Sequence, residues 1–346
     1  MKDGFAQLFK GSRWLVNRPG LQAWLARPDV ALAIHAMTAD TIAAAVLAYS
    51  DRQPTPTLIG DVAVINVTGP VTYKSSWFSM YFGCASIEGL QAQLRSALGD
   101  PAVKTIVFRC DSPGGTVEMC PEFADELFAA RGQKPLLAVA DTMVASAAYW
   151  IASQADTIYA SPSSQLGSIG VYIEHEEVTG MLEKAGIKVT LIAHGDHKVD
   201  GNPYEPLSDQ AHADLQEMVD EVGLEFEGAV ARGRAVTKKV VLDTFGQGRV
   251  FRGKEAISLG LADKQGTFGQ VLARLSKGRS SSAVRAKSID GVDVEGPLTD
   301  AIVQAIVAGA DEPIPVSCCD PGEGTAMADD AAIAAEHEAI AAALLQ

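Results

Sequence analysis

Metal-ligand cysteine pairs, clustered histidines, phosphate-binding loops and membrane-length apolar runs are all missing from this 346-residue chain. The five cysteines (Cys84, Cys110, Cys120, Cys318, Cys319) form no C-x-x-C pair. Their odd number fits a reducing compartment better than a disulfide framework, with Cys318 and Cys319 read as free thiols in the tail. The six histidines show no H-E-x-x-H spacing, and there is no P-loop, so neither a metal nor a cofactor is expected. Basic residues are scarce, 28 against 43 acidic ones for a net charge of -15. Such a surface field repels phosphate backbones, which argues against a nucleic-acid partner. Met1–Lys10 lacks the apolar core and cleavage site of a signal peptide. The most apolar early stretch, Val30–Tyr49, is interrupted by His35, Thr38, Asp40 and Thr41, short of the roughly 20 apolar residues a membrane span needs. The expectation is a soluble, cytoplasmic protein.

What is present is enough for a large core, with 47% hydrophobic residues. Residues 1–58 read as a helical N-terminal segment ending in the linker Arg52-Gln-Pro-Thr-Pro-Thr57. From residue 59 to 275, strand patterns alternate with helical ones. Strands are expected over 61–68, 105–110, 136–140, 157–160, 169–173 and 189–193, and helices over 86–99, 120–131, 145–154 and 209–233. This alternation predicts an α/β fold of repeated βαβ units. Residues 276–346 read as a flexible, acidic, Ala-rich, scaffold-like tail, with 12 acidic against 2 basic residues from Ser280 to Gln346.

Chemistry concentrates at three places. Asp111-Ser112-Pro113-Gly114-Gly115 follows a buried-looking strand, and glycines at a strand's carboxyl end present bare N–H groups, as an oxyanion hole requires. Ser146, in Met143-Val-Ala-Ser-Ala-Ala-Tyr149, stands at the start of a helix, where the helix dipole favours negative charge on its Oγ; the competing reading is an ordinary N-cap. Lys198 lies in the polar, turn-rich loop 195–208. It is either a solvated surface charge or, desolvated beside Ser146, a neutral base for the hydroxyl proton.

These motifs, with Gly167-Ser168-Ile-Gly-Val171, occur in the order and spacing of the S49 serine peptidases, the signal peptide peptidase A group, which residues 60–275 resemble. The resemblance is strongest to the bacteriophage branch of capsid-assembly, or head maturation, proteases. It implies a ClpP/crotonase-like fold and a Ser-Lys dyad, with Ser146 as nucleophile and Lys198 as general base. It further implies that Ser168 orients the lysine, and that Gly114, Gly115 and the Ala147 N–H form the oxyanion hole. The expected substrates are scaffold, portal or capsid proteins, including the chain's own tail, and the expected assembly is a homo-oligomer. Two features depart from the membrane-bound members: Ala147-Ala148 replaces their Gly-Gly, and there is no membrane anchor.

Four other readings stay open. A Ser-His-Asp triad would use His175 with Asp111 or Asp200; His194 and His197 read as polar loop residues. A crotonase-type acyl-CoA enzyme would use the same backbone oxyanion hole on a thioester. A cytosolic bacterial S49 peptidase would serve general protein turnover, and a non-catalytic scaffold would serve assembly alone.

Overall fold

The computed structural model describes residues 14–16, 27, 55–75 and 83–277, all within the unit Met1–Asp300. Most of the expected helical segment 1–58, and the tail from residue 278, lie outside these residues.

Ten strands are found among the described residues: β1 (Trp14–Val16), β2 (Thr57–Ile59), β3 (Val62–Thr68), β4 (Thr105–Ser112), β5 (Gly114–Thr116), β6 (Leu136–Ala145), β7 (Thr157–Ala160), β8 (Gln165–Gly167), β9 (Val250–Arg252) and β10 (Lys264–Gln265). The helices are α1 (Ile87–Gly99), α2 (Cys120–Ala130), α3 (Ala147–Ala152), α4 (Thr179–Lys184), α5 (Asp209–Gly233), α6 (Lys238–Thr244), α7 (Gly253–Leu259) and α8 (Phe268–Lys277). The main sheet runs β10-β7-β6-β4-β3-β2, with β8 joined to β6 and β9 to β8. From β3 to β10 the neighbours are parallel, and β2 is antiparallel to β3. The expected α/β architecture is therefore present.

The strands alternate because both faces of the sheet are buried. Ala63, Ile65 and Val67 of β3, Ile106, Phe108 and Cys110 of β4, and Leu136, Ala138 and Ala140 of β6 enter the larger core. The residues between them, Val62, Val64, Val107, Leu137 and Val139, meet Phe268, Val271 and Leu272 of α8 on the other face. Side chains two apart share a face, so one strand serves two cores.

β6 changes partner partway along. Its first half pairs with β7 (Leu137↔Thr157 to Ala140↔Ala160), its second with β8 (Met143↔Gln165 to Ala145↔Gly167). The register against β4 slips between these halves, from Cys110↔Ala140 to Ser112↔Val144. The slip carries β6 past β7 to the carboxyl edge of the sheet.

Two expected strands are not formed. Over 169–173 no strand forms, only a single bridge at Tyr172: the extended run ends at Gly167, and Ser168 takes φ 56°. Over 189–193 no strand among the described residues pairs with the chain, and Val189, Ile192 and Ala193 are exposed, Ile192 at 96%. The preceding residues form α4, which the sequence pattern does not indicate. No helix among the described residues is long and apolar enough to cross a membrane.

Candidate active site

The carboxyl ends of β4, β6 and β8 converge on one edge of the parallel sheet, the edge where α/β folds assemble ligand sites. Ser146 sits there between β6 and α3. The turn from strand to helix is made in a single residue, which gives Ser146 φ 53° and ψ -121°. A serine at such φ carries strain of about 1–3 kcal/mol and persists only where its surroundings dictate it. They do so through Ala147, Ala148, Tyr149 and Trp150, all at 0% exposure, and through the Ser146 N–H, which donates to the Gly167 carbonyl (2.8 Å).

The competing reading of Ser146 as a helix cap is not met, since its side chain makes no capping hydrogen bond. Ser86, Ser208 and Thr237 do cap their helices, each accepting from an N–H three residues on. The Ser146 Oγ is instead buried, with no hydrogen-bond partner among the described residues. An unpaired buried hydroxyl is costly for folding, so its presence points to a role other than packing.

Ser168 follows β8 as Ser146 follows β6. Ala145 is in register with Gly167, so the two serines leave neighbouring strands side by side, both with positive φ. The Ser168 N–H is held by the Arg249 carbonyl (2.7 Å).

The glycine pair separates into two roles. The Gly114 N–H donates to the Ser112 Oγ (3.2 Å), and the Gly114 carbonyl accepts from the Val71 N–H (2.8 Å). The Thr116 N–H donates to the Val71 carbonyl (2.9 Å). With both neighbours turned toward Val71, the N–H and C=O of Gly115 face the opposite edge. The approach of Val71 also explains why residue 115 is glycine: a Cβ there would lie 1.8 Å from the Val71 carbonyl oxygen. Of the two glycine donors expected, Gly115 is the one turned outward. Ala147 opens α3, whose first N–H groups find no partner within the helix. β5 packs against α3, which brings the Gly115 strand to the Ser146 helix.

No hydrogen bond joins Lys198 to the Ser146 hydroxyl. The lysine occupies an exposed turn, its N–H bonded to the Gly195 carbonyl (3.2 Å), with no strand before it. His175 makes no hydrogen bond to that hydroxyl either; its Nε2 lies 3.2 Å from the Asn202 carbonyl. Asp111 accepts from the Thr142 hydroxyl and lies 3.8 Å from Arg27. His197 pairs with Asp200 at 2.8 Å, and that hydrogen bond raises its pKa.

Cysteine chemistry has no support among the described residues. Burial pushes the Cys84 thiol up to about 12 and raises Cys110 and Cys120 as well, so none offers a thiolate near neutral pH. His197, Asp200 and Asp214 lie close enough to share a cation, but His197 and Asp200 are exposed.

Ser112 and Val71 are site elements to which sequence reasoning assigns no role. Ser112 is legible in the Asp-Ser-Pro-Gly-Gly run, since a hydroxyl two residues before an N–H closes a tight local bond. Val71, 44 positions before Gly115 in the sequence, carries no such signal.

The chain is 32% identical over 256 residues to the capsid assembly protease C of Escherichia phage lambda, across 71% of this chain and 58% of that protein. It is 33% identical over 207 residues to the head-tail preconnector protein GP5 of Enterobacteria phage P21, across 60% of this chain and 41% of that protein. The chain thus spans about half the length of these two relatives. Among solved structures it resembles a mutant form of ClpP1 from Listeria monocytogenes at 12% identity and a TM-score of 0.37, over 59% of this chain and 91% of the other. The model of peptidase family S49 matches residues 129–282, a span holding Ser146, Ser168 and Lys198 but not the Gly114-Gly115 strand. The strained, uncapped serine at the sheet edge therefore lies within the residues that the model of peptidase family S49 matches.

Proposed function

We propose that the chain is a serine endopeptidase that cleaves scaffold, portal or capsid proteins during assembly of a phage procapsid. The observation that carries this reading is Ser146, held at φ 53° with a hydroxyl that makes no other bond, beside a glycine strand with an outward N–H. Ser146 Oγ attacks the scissile carbonyl, and the Gly115 and Ala147 N–H groups stabilise the oxyanion. Lys198 takes the hydroxyl proton and returns it to the leaving amine, and water then releases the acyl group from Ser146. Ser168, which leaves β8 beside Ser146, is the residue assigned to orient the amine.

The exposure of Lys198 adds a condition. The dyad forms only when the segment bearing Lys198 is pressed onto the site. Met181, Ile187 and Ile192 of that segment are 63%, 55% and 96% exposed, an apolar surface suited to packing on a second copy. The lambda relative, a capsid assembly protease, supports a capsid-assembly substrate.

Mass spectrometry of products formed from co-expressed scaffold and portal proteins tests the reading. Cleavage should be lost in Ser146→Ala and Lys198→Ala and kept in His175→Ala. Identical products from wild type and Ser146→Ala would overturn it.

A further inference from the structure

β5 has two edges. One is taken by Val71. The other is taken by the chain's own β1, antiparallel, with Trp14↔Thr116, Leu15↔Gly115 and Val16↔Gly114 in register. By the alternation of backbone groups along a strand, Leu15 faces the N–H and C=O of Gly115. The outward N–H that would receive an oxyanion thus has a carbonyl of the same chain set against it. Arg27 lies 3.8 Å from the carboxylate of Asp111, near the end of β4 just before β5. Ser146 itself is 1% exposed, so a substrate cannot reach its hydroxyl until something moves.

An extended chain added antiparallel to an open strand edge is a general way of binding peptide, with main-chain bonds giving affinity irrespective of sequence. We propose that the outer edge of β5 is the docking edge for substrate and that Trp14–Val16 is a built-in occupant of it, which an incoming polypeptide must displace. The site is then closed by its own N-terminal segment, and the partner it fits is an unfolded or extended stretch of protein rather than a folded surface. A site that opens only to a competing strand is protected from casual hydrolysis of small peptides. This inference rests on the peptidase reading for its consequence but not for its test.

The test uses the full chain and two separate readouts. Leu15→Pro removes the N–H that faces the Gly115 carbonyl and leaves the proposed catalytic groups untouched. In the Ser146→Ala background, where turnover plays no part, a fluorescent peptide covering residues 10–20 should bind the Leu15→Pro form about tenfold more tightly, the worth of one or two backbone hydrogen bonds. In the active chain, Leu15→Pro should lower KM for an extended protein substrate by a similar factor with kcat unchanged. Equal peptide affinity with and without Leu15→Pro overturns the proposal. Tighter peptide binding with no cleavage by any form keeps the docking edge and removes the peptidase reading instead. Should Leu15→Pro fail to fold, hydrogen exchange of the Gly115 amide in the wild-type chain decides: protection supports occupancy by β1, and free exchange overturns it.

Discussion

At Ser146, strain and chemistry are separable. Ser146→Ala removes the proposed nucleophile but keeps the φ of 53°, whereas Ser146→Gly removes both. Turnover should fall by roughly 10^4-fold in each, while chemical denaturation should find the glycine variant more stable by about 1 kcal/mol, the strain relieved less the entropy glycine adds to the unfolded chain. Equal stability would mean that the backbone there is not strained. At Gly115 the argument runs the other way. A methyl group would lie 1.8 Å from the Val71 carbonyl, so Gly115→Ala must push the 69–72 segment aside. Activity should drop by at least about 100-fold, as for loss of an oxyanion donor, with a lowered melting temperature. Both residues are legible in the sequence from the local strand-turn-helix pattern. Lys198 is not, because nothing local dictates whether a loop lysine turns toward a site.

Among elements, those with a strong repeating pattern match the sequence reading closely. The amphipathic run 209–233 becomes α5, Asp209–Gly233, with Val222, Phe226 and Val230 buried at helical spacing. Phe226 stacks on Trp150 of α3, centroids 4.4 Å apart, which ties the helix after Ser146 to the longest helix described. The strand expected over 189–193 fails because β-branched residues favour a strand only where a neighbouring strand accepts them. One side chain joins three helix ends in a way that no pattern signals. Arg131, just past α2, donates from Nε to the Gln154 carbonyl (2.7 Å) and from a terminal nitrogen to the carbonyls of Ala155 (2.7 Å) and Gly233 (2.8 Å). Cations near helix carboxyl ends satisfy carbonyls that the helix leaves open. Arg131→Ala should cost about 3 kcal/mol in denaturant unfolding; a loss under about 0.5 kcal/mol would show that water replaces it.

For the molecule as a whole, the pH dependence of stability should carry the mark of the Arg234–Asp263 pair. Burial alone would raise the Asp263 pKa, but bonds from Arg234 (3.0 and 2.5 Å) and from the Ile158 N–H (2.7 Å) outweigh it and hold the carboxyl below its ordinary 3.8. A depressed carboxyl pKa stabilises the fold above the unfolded-state value, and that stabilisation is lost as pH falls through the folded one. Wild-type stability should therefore decline below about pH 4, more steeply than that of Asp263→Asn. The variant should also lose about 2 kcal/mol at pH 7, less than a fully buried pair would cost because Asp263 is 35% exposed. Parallel acid unfolding curves for the two would refute the assignment.

The two serines also have a mechanical relation to a distant turn. Ser146 hangs from the Gly167 carbonyl, and the next residue, Ser168, hangs from the Arg249 carbonyl. Immediately before Arg249 come three consecutive residues with positive φ, Gly246, Gln247 and Gly248, a tightly wound coil of backbone at the far end of a two-link tether. A displacement of that coil reaches Ser146 through two hydrogen bonds, so a turn 100 positions further along the sequence bears on how Ser146 is held.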